Sequence, residues 1–177
     1  MDIIIKRFGF KEGFTTRGGK IVEWPYSEPQ PSQDDLDIWI AQDIKNNEIK
    51  ATRKKELLRS TPQTITYEDN LANKSFNVNS DQHIPLFNAF INKLQERIDS
   101  GATNPTRNWT DSEGNRLALG IDDFRSLRNH LDERDEQQYD QAILKEKEID
   151  KLSKSNKSKK DKIKNIEDFD ITQVIVE

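Results

Sequence analysis

His83 and His130 are the only imidazole bases in this chain of 177 residues, and it has no cysteine. Nucleophilic catalysis needs a hydroxyl or thiol held beside such a base. His83 falls in the first turn of an expected helix and His130 beside the apolar stripe of the next, so each reads as a surface or boundary histidine. The two share no H-x-x-x-H spacing and no thiolate is available, which argues against a zinc site. Gly9-x-x-x-Gly13 and Gly18-Gly19 lack the Gly-Lys-Ser/Thr of a phosphate-binding loop. Asp111-Ser112-Glu113-Gly114-Asn115 has the look of a calcium loop but not its alternating ligands or its distal glutamate, and a polar turn accounts for it. Glu56 with Asp69, and Asp122 with Asp123, are carboxylate pairs of a kind that is common in so acidic a chain, and Asp122 reads as a helix cap. No catalytic residue, metal ligand or cofactor is expected, and the chain reads as non-enzymatic.

Composition narrows the fold. Only 32% of the residues are hydrophobic and 34% are charged, against a usual apolar share of roughly 45–50% (glycine included). The mean hydropathy is -0.95. A large single-core barrel or doubly wound sheet is excluded on that ground, leaving small cores joined by solvated helices and tails. A net charge of -4 argues against general nucleic-acid binding. The start, MDIIIKRFGF, has three apolar residues in a row before Lys6 and Arg7, so neither a signal peptide nor a membrane span is expected. The chain is expected to be made in the cytoplasm, with no membrane partner.

The expected architecture is α+β: a small N-terminal β segment, a long helix, two β-hairpin–helix units, an extended acidic helix and a flexible C-terminal tail. Residues 1–26 read as the β segment, with a strand at Ile3-Ile4-Ile5 and a hairpin of Thr15-Thr16-Arg17 and Lys20 to Trp24 about Gly18-Gly19. Residues 27–60 hold a proline arm, which Pro25 leads into and Pro29 and Pro31 continue, and a helix from about 33 to 59, opened by the capping box Ser32 to Asp35. Its half from Lys45 to Lys55 reads as a solvated spacer. Residues 61–131 repeat one plan twice. Thr64 to Tyr67 and Lys74 to Val78 form a hairpin leading to a helix that starts at Ser80-Asp81-Gln82; Asn108 to Thr110 and Arg116 to Leu119 form another, leading to a helix capped by Asp122. The shared core is expected from Ile65, Tyr67, Phe76, Val78, Phe87, Phe90, Leu94, Trp109, Leu117, Leu119, Phe124, Leu127 and Leu131. Residues 132–152 extend the second helix as an acidic rod, with no apolar side chain from 132 to 138.

Residues 153–177 read as a lysine-rich flexible linker and a β-capable docking peptide. Seven lysines lie between 151 and 164 against one aspartate, with no interleaved aromatics, which favours a solubilising linker over a nucleic-acid arm. Ile171 to Val176 has strand propensity. It is expected either to dock in trans onto another sheet edge, so that its removal leaves the chain's own stability intact, or to fold back on the N-terminal strands.

Ile21 to Tyr26 and the run from Pro29 to Leu36 with Trp39 resemble the arm-and-helix segment of bacteriophage tail-fibre assembly and baseplate-associated proteins. Residues from about 63 to 131, with Asn108-Trp109-Thr110-Asp111 and Leu117 to His130, resemble a domain found at the end of such tail proteins. The resemblance spans about two thirds of the chain and carries no active site. It implies a non-enzymatic structural component of the virion tail, at the baseplate or tail-fibre attachment, bridging other tail, baseplate or fibre proteins or further copies of itself. The alternative is a tail-fibre assembly chaperone not retained in the virion. The residues expected to meet partners are Trp24, Tyr26 and Trp39 in the arm and helix, and Phe169, Ile171, Val174 and Val176 in the tail.

Overall fold

Ser32 opens the first long helix as its spacing predicts: the Asp35 N–H donates to Ser32 Oγ (3.1 Å) and Ser32 N–H to Asp35 Oδ2 (3.0 Å), a reciprocal cap with aspartate in the place of glutamate. The computed structural model describes residue 4 and residues 7–9, 14–17, 20–59, 61–65 (backbone only) and 74–176. It is α+β. In order the elements are β1 (Thr15–Arg17), β2 (Lys20–Glu23), α1 (Gln33–Leu58), β3 (Thr61–Ile65), β4 (Lys74–Val78), α2 (Ser80–Asp99), β5 (Arg107–Thr110), β6 (Arg116–Leu119), α3 (Ile121–Lys154) and α4 (Lys159–Glu167). The strands make three separate antiparallel pairs, β1–β2, β3–β4 and β5–β6. Two compact units result, one of residues 1–51 with 141–177 and the other of residues 52–140; α1 and α3 contribute to both.

The second unit is built on aromatic packing. Phe76, Val78, Phe87, Phe90, Ile91, Leu94, Leu119, Phe124, Leu127 and Leu131 form its buried core, with Ile84, Trp109, Leu117 and Ile121 packed against it. Phe87, Phe90 and Trp109 all contact the Phe124 ring, at centroid distances of 5.7, 5.2 and 6.3 Å. The expected core is thus found from Phe76 onward, with Trp109 half-buried; the side chains of Ile65 and Tyr67 lie outside the described residues. β3 pairs Thr61 with Val78 and Ile65 with Lys74, so the strand begins three residues before the expected Thr64 and takes in Pro62. A two-stranded sheet has only edge strands, where a residue without an N–H is tolerated.

Polar groups finish the unit where apolar ones run out. Asn79, one residue before the expected start, caps α2: its side chain accepts from the Gln82 N–H (2.9 Å). At the other end Gly101, at φ +91°, permits a Schellman closure in which Ala102 N–H reaches Arg97 O and Gly101 N–H reaches Ile98 O, both at 2.9 Å. Asp122 is not the cap of α3. The helix starts after Gly120, and Asp123, three residues on, accepts the Gly120 N–H at 2.7 Å, while Asp122 pairs with Arg125 at 3.0 Å. Nor is the acidic stretch 132–138 wholly solvated. The buried Ser80 hydroxyl donates to Asp135 Oδ1 (2.5 Å) and accepts from Arg134 Nη2 (2.7 Å).

The first unit has a smaller aliphatic core of Ile38, Ala41, Ile49, Ile149 and Ile166, against which Ala142, Leu152, Ile163, Phe169 and Ile171 pack. Three expectations change here. Ile4 is buried and helical, not in a strand; Ile3 and Ile5 lie outside the described residues. Ile49, within the expected solvated spacer, is only 4% exposed. The lysine-rich stretch is not linker throughout: Ser158 caps α4, and α4 buries Ile166 completely. Lysine is a good helix former, and Ile163 and Ile166 at i, i+3 supply the apolar face.

The tail lies on α3 of its own chain and is not in a strand; Ile3 and Ile5, the partners expected if it folded back, lie outside the described residues. Gln141 donates to Ile175 O (3.0 Å) and accepts from Ile175 N–H (2.9 Å), and Lys145 Nζ donates to Ile171 O (2.8 Å).

Two stability tests follow from these cores. Phe90→Ala is expected to cost about 3–5 kcal/mol, read from urea unfolding. Deleting residues 165–177 removes Ile166, Phe169 and Ile171 from the first core and should lower Tm by several degrees, at about 4–8 °C per kcal/mol; an unchanged melting curve would mean that the tail contributes nothing to its own unit.

Candidate functional site

The seven residues expected to meet partners fall into two groups, all within the first unit. Trp24 and Tyr26 meet edge to face at 5.0 Å, Trp24 meets Phe8 at 5.4 Å, and Phe8 meets Trp39 at 5.9 Å. An aromatic row therefore joins the proline arm to α1. The arm bends at residues 26–28, and the Trp24 indole N–H donates across the bend to Glu28 O at 2.6 Å. Phe8 is the link that sequence reasoning left out. Its spacing from Phe10 and Phe14 among glycines gave no period by which to assign it a face.

Trp39 also borders a cleft of about 290 Å³ that Gln42, Asp43, Asn46, Glu146 and Asp150 line. Arg7 lies over the Trp39 ring, 5.1 Å from its centroid, and donates a hydrogen bond to Gln42 Oε1. Carboxylates and carboxamides dominate the lining among the described residues, so the cleft offers acceptors to hydrogen-bond donors. Asp43, Glu146 and Asp150 were not singled out in the sequence, because isolated carboxylates on two distant helices carry no spacing signal.

The second group is split by its own packing. Phe169 and Ile171 pack against the aliphatic core, whereas Val174 and Val176 are 75% and 87% exposed. Thr172 N–H donates to Asp170 Oδ1 (2.8 Å), and Thr172 with its hydroxyl holds the Asp170 carboxyl below its usual range. This turn delivers the chain from the core onto α3.

The groups first examined for chemistry serve as local hydrogen-bond partners. His83 Nδ1 accepts the Asn79 N–H (2.9 Å), and its ring lies edge-on to Trp109. His130 is half-buried on α3. The Asp111 carboxylate closes the β5–β6 turn as a polar turn does: it accepts from Asn115 N–H (2.8 Å), Asn115 Nδ2 (3.0 Å) and Glu113 N–H (3.0 Å), around a Gly114 at φ +91°. The Asn115 bonds, then the backbone donors and Lys74 (3.8 Å), hold its carboxyl below the usual range. Ser112 N–H donates to Ser75 O (2.7 Å), tying this turn to β4. Glu56 pairs with Arg59, and Asp69 lies outside the described residues. Among the described residues no group of three His, Cys, Asp or Glu is placed to hold a metal ion, and no helix is long and apolar enough to cross a membrane.

Comparison with protein families, with curated proteins and with solved structures returned no match.

Lys159 anchors α4 to the first turns of α1, reaching Asp37 at 2.5 Å and Asp34 at 2.9 Å. The Lys159 bond, then Gln33, holds the Asp37 carboxyl below its usual range, and Asp37 and Asp34 hold the Lys159 ammonium above its own. A depressed carboxyl stabilises the fold fully above the ordinary carboxylate range, and that share is lost as the pH falls through the depressed value. A raised ammonium stabilises it fully below the ordinary lysine range, and that share is lost as the pH rises through the raised value. Stability from this cluster should therefore be flat from about pH 5 to 9 and decline below about pH 4. Thermal melts of wild type and Asp37→Asn check this: the variant should melt lower at pH 7 and lose less on going to pH 3, and parallel curves would count against the assignment.

Proposed function

We propose that the chain is a non-enzymatic structural component of a bacteriophage tail, at the baseplate or tail-fibre attachment, where it bridges neighbouring subunits. The observation that carries the reading is the placement of apolar surface. A chain with only 32% hydrophobic residues leaves Val174 and Val176 at 75% and 87% exposure, and Val22 at 54%. Water disfavours such surface, and a bridging protein buries it in its neighbours.

Two further features support the reading. The segments 21–39 and 63–131 carry the tail-protein resemblance, and His83, Asp111 and Asp123 are engaged in caps and turns. The aromatic row from Tyr26 to Trp39 supplies a second contact area of the type enriched at interfaces. In the virion such a chain joins larger subunits through segments near both ends, so that two modest contacts act together.

Quantitative mass spectrometry of purified particles tests this. The chain should be present at a fixed ratio to a known tail protein, and Val174→Lys with Val176→Lys should lower that ratio several-fold while the protein stays folded in the lysate. Presence in lysates of assembling tails but absence from finished particles would replace the structural role with that of an assembly chaperone.

A further inference from the structure

The tail and the first hairpin are each incomplete in the same way. β1 and β2 form a two-stranded sheet in which, among the described residues, β2 pairs on one edge only, and every residue of the pair except Ile21 is exposed. A lone two-stranded hairpin is marginal in water, and an open edge presents unpaired N–H and C=O groups to any strand that fits. Val22 stands on β2 at 54% exposure.

The tail has the composition of a strand but is not in one. From Ile171 to Val176 all residues but Gln173 are β-branched, the composition that favours strands. The Gln141 carboxamide takes both peptide groups of Ile175, pairing with them as the peptide of a neighbouring strand would. In a strand successive peptide groups point to opposite edges, so a strand formed here with Ile175 still on Gln141 would turn the peptide groups of Val174 and Val176 away from α3. The Asp170 turn holds Thr172 N–H and the chain bends at Gln173, so Gln173 to Val176 is the length on offer to β2, whose register shifts at Val22.

We propose that Gln173–Val176 of one copy adds as a third strand to the outer edge of β2 in a second copy. Val174 or Val176 meets Val22, and the exposed Asp168 and Asp170 ahead of the tail lie toward the exposed Arg17 and Lys20 of the hairpin. Donor and acceptor surfaces are different patches of the same chain, so the contact is head-to-tail and repeats from copy to copy. The tail need not leave α3 for this, because Gln141 uses the other edge. The proposal stands apart from the virion assignment, since it concerns the purified chain alone.

Sedimentation velocity on the full chain tests it with two variants at exposed positions, Val22→Lys and the pair Val174→Lys, Val176→Lys. Wild type should associate progressively with concentration. Each variant alone should need about tenfold or more protein to associate to the same extent, with unchanged far-ultraviolet circular dichroism. An equimolar mixture should form a 1:1 dimer and nothing larger, because only the intact edge of one variant and the intact tail of the other remain. Val174→Thr with Val176→Thr, which keeps β-branching without charge, should associate as wild type does. A wild type that stays monomeric, variants that associate unchanged, or a mixture that stays monomeric would each overturn the proposal.

Discussion

A shortage of apolar side chains governs this molecule. With 32% hydrophobic residues, two modest clusters have to hold all of its elements, one aromatic about Phe124 and one aliphatic about Ile149 and Ile166. Burying a side chain of that size contributes about 1.5–3 kcal/mol, so neither cluster has contacts to spare. What the clusters do not reach is joined by hydrogen bonds and ion pairs: Ser80 to Asp135, Asp111 to Lys74, Lys159 to Asp37, Gln141 to Ile175. Each such bond contributes little where water competes for its partners. Several such joints together fix the geometry; none alone secures it.

The same economy explains which parts of the fold were legible beforehand. Ser32 with Asp35 and Gly101 after Asp99 are local devices, specified within a few residues, and each sits where its spacing says. The apolar period from Phe87 to Leu94 and from Phe124 to Leu131 was strong enough to name the second core. Ile49 was hidden because one apolar residue in a polar run has no period, and its burial is decided by α3 and α4, which lie far away in the sequence. α4 was hidden because lysine content was read as flexibility, although Ser158, Ile163 and Ile166 already spelled a cap and a face. Asp122 and Asp123 were confused because glycine as N-cap offers no side chain to mark the start; only the Gly120 N–H, which Asp123 accepts, identifies it.

The candidate site divides along the same line. Aromatic residues in the arm were visible by type, and the row that Phe8 completes is a tertiary fact. The carboxylates of the cleft, on α1 and α3, become neighbours only in the folded unit. Of the tail residues, Phe169 and Ile171 proved to be part of the chain's own core, and Val174 and Val176 kept the exposed character that their position suggested. A β-branched hexapeptide does not dictate a strand: among the described residues no sheet edge of its own chain pairs with it, and the tail is held to a helix by two long polar side chains.

The first unit is assembled from both ends of the chain, residues 1–51 with 141–177, while the second is a single run from 52 to 140. That difference orders events during synthesis. The ribosome releases α1 early, yet the partners of Ile38 and Ile49, namely Ile149 and Ile166, emerge about a hundred residues later. For that interval the N-terminal segment exposes its apolar face, and closing so long an open loop is entropically costly and slow. The intervening run can fold first, bringing the two ends together and shortening the loop that remains. A released chain ending at residue 140 would therefore carry a complete second unit and an unprotected α1, the species on which chaperones and proteases act.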